Sequence, residues 1–143
     1  MKKLFTILVG LLVTASVYSQ TYNVNTFYAE LGGYVIQTDG THGVVVAMQD
    51  QGVANWYDAE AMVNDASKHD SNGAKFNDWR LPTKDELNLI YKQRRSIGGF
   101  IDTYYWSSTE VDNGGAWDQN FGDGSQGVNS KDYTDNVRAV RAF

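Results

Sequence analysis

The sequence predicts an α+β fold in which a hairpin and two helices precede a set of antiparallel strands. Three observations predict it: two β-rich runs joined by a turn, two segments with helical spacing of apolar residues, and a strand-rich second half. Because the helices follow one another instead of alternating with strands, we expect them to group against one antiparallel sheet. A chain of 143 residues is long enough for one domain.

The N-terminus has the pattern of a signal peptide. Lys2 and Lys3 precede the uncharged run Leu4–Tyr18, which at about fifteen residues is too short to span a bilayer. Cleavage is expected after Ser19, with a retained membrane anchor as the alternative. The mature chain then has no membrane span and is extracellular, on the cell surface or periplasmic. Within it, residues 20–30 form an N-terminal extension and residues 31–143 form the domain.

Composition excludes several classes of chemistry. The chain has no cysteine and only two histidines, His42 and His69, so disulfides, cysteine-bound zinc and a thiol nucleophile are absent and a histidine triad is disfavoured. Loss of Lys2 and Lys3 moves the formal charge from -5 to -7, which disfavours nucleic acid as a partner. We therefore expect no enzymatic activity, no cofactor and no metal requirement.

The first half contains the hairpin and the first helix. The runs Tyr34–Ile36 and Val44–Met48 flank turn residues 39–43, which predicts a hairpin with His42 exposed in its turn. Asn55 is the expected N-cap of the first helix. The apolar positions that predict its buried face are Ala59, Met62, Val63 and Ala66.

The second helix has stronger signals. Pro82 precedes Thr83, and Glu86 lies three residues further on, which predicts a capping box. Gly98 and Gly99 end the helix. Its apolar face is expected to contain Leu87, Ile90 and Tyr91. The basic residues of its last turn, which suit the helix dipole or alternatively form an anion site, are Lys92, Arg94 and Arg95.

The second half has three strand-like segments: residues 104–108, 116–121 and 137–143. Residues 129–136 are polar and are interpreted as a loop. Arg138 and Arg141 should point to opposite faces of the last strand, with Glu86 and Glu110 as candidate partners for the buried one. The tryptophans expected to form the core, each with its ring N–H bonded, are Trp79, Trp106 and Trp117.

Several motifs together resemble one family. They are Asp78-Trp79-Arg80-Leu81-Pro82-Thr83-Lys84-Asp85-Glu86-Leu87, Gly98-Gly99-Phe100, Tyr105-Trp106-Ser107-Ser108-Thr109-Glu110, Ala116-Trp117 and Val137-Arg138-Ala139-Val140-Arg141-Ala142-Phe143. Over residues 31–143 the chain resembles the Lcl C-terminal domain family, first noted in a bacterial collagen-like adhesin. The resemblance implies a C-type-lectin-like fold, with two helices against a twisted antiparallel sheet and long loops on the ligand face. The Glu-Pro-Asn, Gln-Pro-Asp and Trp-Asn-Asp motifs of calcium-dependent lectins are missing.

The loops of the second half are the expected ligand-binding face. Antibody paratopes combine tyrosine with small polar residues in a similar way. The predicted function is a non-enzymatic module that binds an extracellular glycan or protein, such as an adhesin. The alternative is an envelope or assembly component whose loops pack on a partner subunit. The candidate contacts are Asp112, Asn113, Asp118, Asn120, Asp123, Ser125, Asn129, Asp132 and Tyr133.

Two further interpretations of these loops stay open. The stretch from Asp118 to Asp123 has oxygen ligands that suit calcium, although such residues also form turns. The chain is alternatively a relative of receptors whose ligand face is rewritten by retroelements through AAC codons. Ordinary loop composition explains the same residues, and the coding sequence decides between the two. The positions within reach of such codons are Asp112, Asn113, Asp118, Asn120, Gly122, Asp123, Ser125, Gly127, Val128, Asn129, Ser130, Asp132, Tyr133, Thr134, Asp135 and Asn136.

Overall fold

The computed structural model of the protein describes residues 19–143. The predicted signal peptide lies outside this part of the chain, apart from Ser19. Within residues 19–143, no helix has the length and apolar character needed to cross a bilayer. The strands and helices are β1 (Thr26–Tyr28), β2 (Gly33–Thr38), β3 (Gly43–Val46), β4 (Gly52–Asn55), α1 (Trp56–Met62), α2 (Lys84–Ile97), β5 (Tyr104–Glu110), β6 (Gly115–Asn120), β7 (Gln126–Ser130), β8 (Thr134–Val137) and β9 (Val140–Ala142), with 3₁₀ turns at Ala66–Lys68 and Gly73–Lys75.

The strands form two sheets, which confirms the α+β class but not the single sheet that we expected. The first sheet has the order β1-β2-β3-β9 and the second the order β4-β8-β5-β6-β7. One pair, β5 with β8, is parallel. The C-terminal strand that we expected over residues 137–143 is divided between the two sheets. Strand β8 pairs with β4 in the second sheet, whereas β9 pairs with β3 in the first.

The predicted hairpin is confirmed as β2 and β3, which pair antiparallel around the turn that contains His42. The first sheet begins earlier than the expected domain boundary at residue 31, because β1 pairs with β2. The C-terminus is held in this sheet as well. The backbone N–H of Phe143 donates to the Gly43 carbonyl at 3.0 Å, and the Gly43 N–H donates back at 3.1 Å.

Both helices begin where the capping signals predict. The Asn55 side chain accepts from the Asp58 N–H, and Thr83 forms a complete capping box with Glu86. The first helix, however, ends at Met62 rather than near Ala66, which is exposed in a separate 3₁₀ turn. Asp65 caps that turn, so local side-chain capping competes with continuation of the helix.

The polar stretch 129–136 was wrongly interpreted as a loop. It contains the end of β7 and most of β8, separated only by residues 131–133. These strands lack the β-branched alternation that normally signals a strand, because Asp135 and Asn136 point into buried polar surroundings. Strand β4 was not predicted either, because it has only four residues and begins with glycine.

Three tryptophans are buried in the interior, but they are not the three that we expected. Trp79 and Trp106 are buried, and their indole N–H groups donate to the carbonyls of Gly73 and Ala54, both at 3.0 Å. Trp117 is only partly buried, and its ring is covered by the Lys84 ammonium group 3.2 Å from the ring centroid. The third buried tryptophan is Trp56, which begins α1 and packs in the same apolar cluster as Trp79 and Trp106.

Both C-terminal arginines are buried, whereas we expected burial of at least one, and the predicted partners were wrong. Arg138 has no exposed surface, and its Nε donates to Asp50 Oδ1 at 2.6 Å, while Arg141 pairs with Asp78 at 2.7 Å. Glu86 is engaged by its capping box and by Arg80, and Glu110 by Lys131. Arg138 also donates to the carbonyls of Ala47 (3.0 Å) and Gly99 (2.6 Å), so its guanidinium joins three segments where the chain changes sheets.

Candidate functional site

The loops of the second half lie at two opposite ends of the second sheet. Strands β5, β6 and β7 are successive antiparallel neighbours, with Glu110 beside Ala116 and Tyr104 beside Asn120. The turn 111–114 therefore lies at one end of β6 and the loop 121–125 at the other. A six-residue strand is roughly 20 Å long. The single ligand face that we expected is thus divided into two separate surfaces.

The first surface is built around a buried lysine, Lys131, which is 2% exposed. Its ammonium group donates to Glu110 Oε2 at 2.6 Å and to the carbonyls of Asp112 at 3.0 Å and Asn113 at 3.2 Å. The same group lies 4.5 Å from the centroid of the Trp56 ring. One buried cation thus holds the turn 111–114, the loop 131–133 and the start of α1 together. We call this surface the Lys131 end.

The exposed side chains of the Lys131 end are aromatic, acidic and amide groups. Tyr133 is 65% exposed and Tyr57 is 53% exposed. The Tyr57 hydroxyl donates to the Asn113 carbonyl at 3.2 Å, which ties α1 to the turn. Asp112 and Asp132 are exposed on the same pair of loops. Because the turn is fixed from below and its side chains face solvent, this surface is suited to contact with a partner.

The second surface is the loop 121–125, where the candidate contacts act mainly within the loop. Asn120 Oδ1 accepts from the Gly122 N–H at 2.8 Å, and Asp123 Oδ1 accepts from the N–H and hydroxyl of Ser125 at 2.9 and 2.7 Å. The hydrogen bond from the Ser125 backbone N–H is the main cause of the lowered pKa of Asp123. Gly124 packs against the Tyr91 ring, so this loop is shaped by tight local packing.

Three of the candidate contacts, Asp118, Asn120 and Asn129, lie on strands instead of loops. Asp118 lies on β6 and is 3% exposed, which contradicts its expected place on the exposed rim. The side chains of Asn129, on β7, and Asp135, on β8, both affect the pKa of its carboxyl group. Burial is the main cause of the raised pKa of Asp118. Burial is also the main cause that raises the pKa of Asp135 to about 6, and the negative charge of Asp118 is the second cause. These three residues form what we call the acid cluster.

The arrangement of Asp118, Asn120 and Asp123 bears on the calcium interpretation. The Asp118 carboxyl group belongs to the acid cluster inside the sheet, while the Asn120 and Asp123 oxygens accept bonds from their own loop. The three side chains therefore do not converge on a common point. Among residues 19–143, no group of three or more acidic or histidine side chains has the spacing of a metal site.

The positions within reach of retroelement-type codons do not all face solvent. Asp118, Asp135 and Asn136 are 3%, 7% and 9% exposed. The remaining positions are exposed or half-buried, and they are split between the two ends of the sheet and strand β7. A diversified ligand face needs its variable side chains together on one surface, so the structure favours ordinary loop composition for these residues.

Two grooves lie away from the Lys131 end. One, of about 350 Å³, is next to the loop 121–125 and is lined by Arg94, Arg95, Gly98, Gly99, Phe100, Asp102 and Gly122. Arg94 covers the Tyr91 ring at 3.8 Å and donates to the Tyr91 carbonyl, as its place near the end of α2 predicts. The other groove, of about 200 Å³, is lined by Glu60, Val63, Asn64, Trp79, Arg80 and Leu81. Neither groove is lined by a residue of the Lys131 end.

The sequence did not predict a role for Tyr57 or Lys131, the two residues that define the Lys131 end. Tyr57 lies in the first half of the chain, 56 residues from Asn113. Lys131 is not among the candidate contacts that the loop composition predicts. A single lysine between Ser130 and Asp132 gives no local sign of burial, because its acceptors lie 18 to 21 residues away.

Among known proteins, the chain matches one family model but no individual curated protein. No curated protein is significantly similar to the chain. The profile of the Lcl C-terminal domain family matches residues 18–141, which includes β1 and nearly all of the described chain. The motifs that carry the resemblance, from Asp78 to Leu87 and from Val137 to Phe143, supply Asp78, the capping box and both buried arginines of the scaffold. The chain belongs to the Lcl C-terminal domain family.

Proposed function

We propose that the protein is an exported, non-catalytic binding module that recognises a glycan or protein ligand through the Lys131 end. Membership of the Lcl C-terminal domain family indicates a surface-associated binding module. The proposed contacts are Tyr57, Asp112, Asn113, Asp132 and Tyr133. We also propose that the fold is C-type-lectin-like, a proposal that two consecutive helices followed by the antiparallel strands β5, β6 and β7 support.

The observation that carries the proposal is the pair of exposed tyrosines on loops fixed by a buried cation. Tyr57 and Tyr133 expose more than half of their surface, although folding normally favours some burial of an aromatic ring. Tyrosine gives a large contact area at low cost in side-chain entropy, and neighbouring acid and amide groups add hydrogen bonds. A turn held by Lys131 loses little further freedom when a ligand binds, which favours affinity.

The test compares two sets of alanine variants on a glycan array and in pull-downs from an extracellular or envelope fraction. Tyr57→Ala with Tyr133→Ala should reduce binding at least tenfold, because both aromatic anchors are lost. The matched control is Tyr104→Ala with Asp123→Ala at the opposite end of the sheet, where Tyr104 is 44% exposed. Equal loss in both sets, or loss only in the control with unchanged melting, would refute the assignment.

The alternative is an assembly component that packs on a partner subunit, and one observation favours it. Val53 on edge strand β4 and Val128 on edge strand β7 are 59% and 53% exposed. Edge strands with apolar side chains are open to pairing with another chain. A Val53→Lys and Val128→Lys variant that loses its partner, while Tyr57→Ala with Tyr133→Ala retains it, would favour assembly over ligand recognition.

A further inference from the structure

The turn 111–114 contains the peptide bond between Asn113 and Gly114, and side chains contact both of its polar groups. The carbonyl oxygen accepts from Lys131 Nζ at 3.2 Å and from the Tyr57 hydroxyl at 3.2 Å. On the other side of the bond, the Gly114 N–H donates to Asp112 Oδ1 at 2.8 Å. A cation and a hydroxyl group therefore face the carbonyl of this peptide unit, and a carboxylate faces its N–H.

These contacts favour transient loss of the amide proton. When a peptide nitrogen loses its proton, the negative charge spreads onto the carbonyl oxygen through the same resonance that keeps the bond planar. Donors already placed at that oxygen stabilise the charge, as the donors of an oxyanion hole do. A carboxylate within hydrogen-bond distance of the N–H can accept the proton as a base. The Gly114 nitrogen is thus activated as a nucleophile.

The group that this nitrogen can attack is the side-chain amide of the preceding residue, Asn113. Attack on its Cγ closes a five-membered ring. Asn113 and Gly114 are both exposed, and among residues 19–143 no hydrogen bond restrains the Asn113 side-chain amide. The space around Gly114 is open as well, because a Cβ there would have only Asp112 Oδ1, at 3.8 Å, within 4 Å. The side chain is therefore free to turn towards the nitrogen.

We propose that Asn113 and Gly114 form a succinimide in the folded protein. The side chains that promote it are Asp112, Lys131 and Tyr57. Asp112 takes the N–H proton, and the nitrogen electron pair forms a bond to Asn113 Cγ. The bond from Cγ to the side-chain nitrogen breaks, and this nitrogen receives the proton and leaves as ammonia. The reaction is intramolecular and occurs once per chain.

Water then opens the ring at either carbonyl and leaves aspartate or isoaspartate at position 113. Either product carries a carboxylate where the protein had an amide. In isoaspartate this carboxylate is the former backbone carbonyl group, which faces Lys131 and Tyr57. Asp112 and Asp132 are already exposed at the Lys131 end, so the modification makes the surface more acidic. An effect on ligand binding rests on the proposed function, whereas the modification itself does not.

The chain contains a second Asn-Gly pair, Asn72-Gly73, which serves as an internal control. Its N–H also donates to a carboxylate, Asp70 Oδ1, at 2.9 Å. Gly73 is buried at the start of a 3₁₀ turn, and the Asn72 side chain donates to Asp70 Oδ2 at 3.4 Å. Among residues 19–143, no lysine or tyrosine side chain donates to the Asn72 carbonyl. This pair therefore lacks the donors that activate the peptide bond at Asn113.

The experiment follows deamidation at Asn113 and Asn72 by peptide mapping and mass spectrometry while the protein is kept at neutral pH. Asn113 should react at least about threefold faster in the folded protein than in urea, because unfolding removes the donors and the base. Asn72 should react more slowly in the folded protein. Tyr57→Phe and, independently, Asp112→Ser should slow the reaction at Asn113 at least about threefold. Serine retains an acceptor for the Gly114 N–H but is not a base.

Tyr133→Phe and Asp123→Ser are the matched controls. Tyr133 is an exposed tyrosine of the same end, and Asp123 accepts a backbone N–H at the opposite end. Both should leave the rate at Asn113 unchanged. Slower reaction of Asn113 in the folded protein than in urea would overturn the inference. So would a Tyr57→Phe or Asp112→Ser variant that reacts as fast as the wild type or faster, because these contacts would then only restrain the turn. No ligand is used, so this failure is separate from failure of the proposed function.

Discussion

Replacement of Lys131 by methionine tests how the Lys131 end is built. Methionine retains most of the side-chain volume but removes the ammonium group and its three hydrogen bonds. Hydrogen bonds to charged groups contribute about 1.5–3 kcal/mol each when their partners are buried. Asp112 and Asn113 are exposed and Glu110 is half-exposed, so water can replace part of each bond, which lowers the loss to about 1 kcal/mol per bond.

Loss of the contact between Lys131 and the Trp56 ring adds about 1 kcal/mol to the loss of stability. Removal of a buried charge restores part of the lost stability. We therefore expect Lys131→Met to lower the free energy of unfolding by about 2–4 kcal/mol. The assay is urea unfolding followed by tryptophan fluorescence. Glu110→Gln should cost less than about 1 kcal/mol, since the glutamate is half-exposed and both carbonyl bonds remain.

Lys84→Met is the matched control, because Lys84 also covers a tryptophan ring but is only half-buried, whereas Lys131 is buried. It should cost less than about 1 kcal/mol. A Lys131→Met variant as stable as the wild type would show that the ammonium group does not hold the turn. So would a Glu110→Gln variant that loses as much stability as Lys131→Met, because the salt bridge and not the two carbonyl bonds would then hold the turn.

Substitutions at Asp50, Gly124 and Asp135 test three other features of the structure. Asp50→Asn should lower the free energy of unfolding by about 3–5 kcal/mol in urea titrations, because it leaves the fully buried Arg138 guanidinium uncompensated; a loss under about 1 kcal/mol would contradict this. Gly124→Ala should lower the melting temperature more than Gly98→Ala. Both glycines have positive φ, but a Cβ at 124 would lie 2.4 Å from the Tyr91 ring, whereas the space at 98 is open. Asp135→Asn should stabilise the protein at pH 8 by about 2–3 kcal/mol and have little effect at pH 4. The wild-type pKa is raised from 3.8 to about 6, so its stability is full below pH 4 and falls as the pH rises through 6; parallel pH–stability curves for wild type and variant would contradict this.

Features whose signals lie within a few residues could be predicted from the sequence. The Thr83–Glu86 capping box, the Asn55 cap and the hairpin turn around His42 all depend on contacts within four positions, and the structure confirms each. The α+β class follows from the order of such elements. Local capping chemistry is thus enough to define where the helices of this chain begin.

Features that depend on distant pairing could not be predicted. The partner of Arg138 is Asp50, 88 residues away, and nothing in the sequence distinguishes it from Glu86 or Glu110 before the sheets are assembled. The polar strand β8 likewise becomes a strand because β4 and β5 flank it. Tertiary pairing overrides weak local propensity at both places.

The candidate site was predicted in part. Loop composition identified the exposed residues Asp112, Asn113, Asp132 and Tyr133, and all four lie at the Lys131 end. The expected convergence with the loop 121–125 failed because successive antiparallel strands place their connecting loops at alternate ends of a sheet. The burial of Asp118 depends on strand β8, which was interpreted as a loop.

We expect a ligand to contact the Lys131 end of the second sheet. The most direct measurement maps amide shift changes in the ¹⁵N-labelled protein on addition of the strongest glycan or protein found by the array or pull-down. We expect the changes to cluster at Tyr57, at residues 111–114 and at residues 131–133. Changes confined to residues 94–100 and 121–125, at the opposite end, would contradict it.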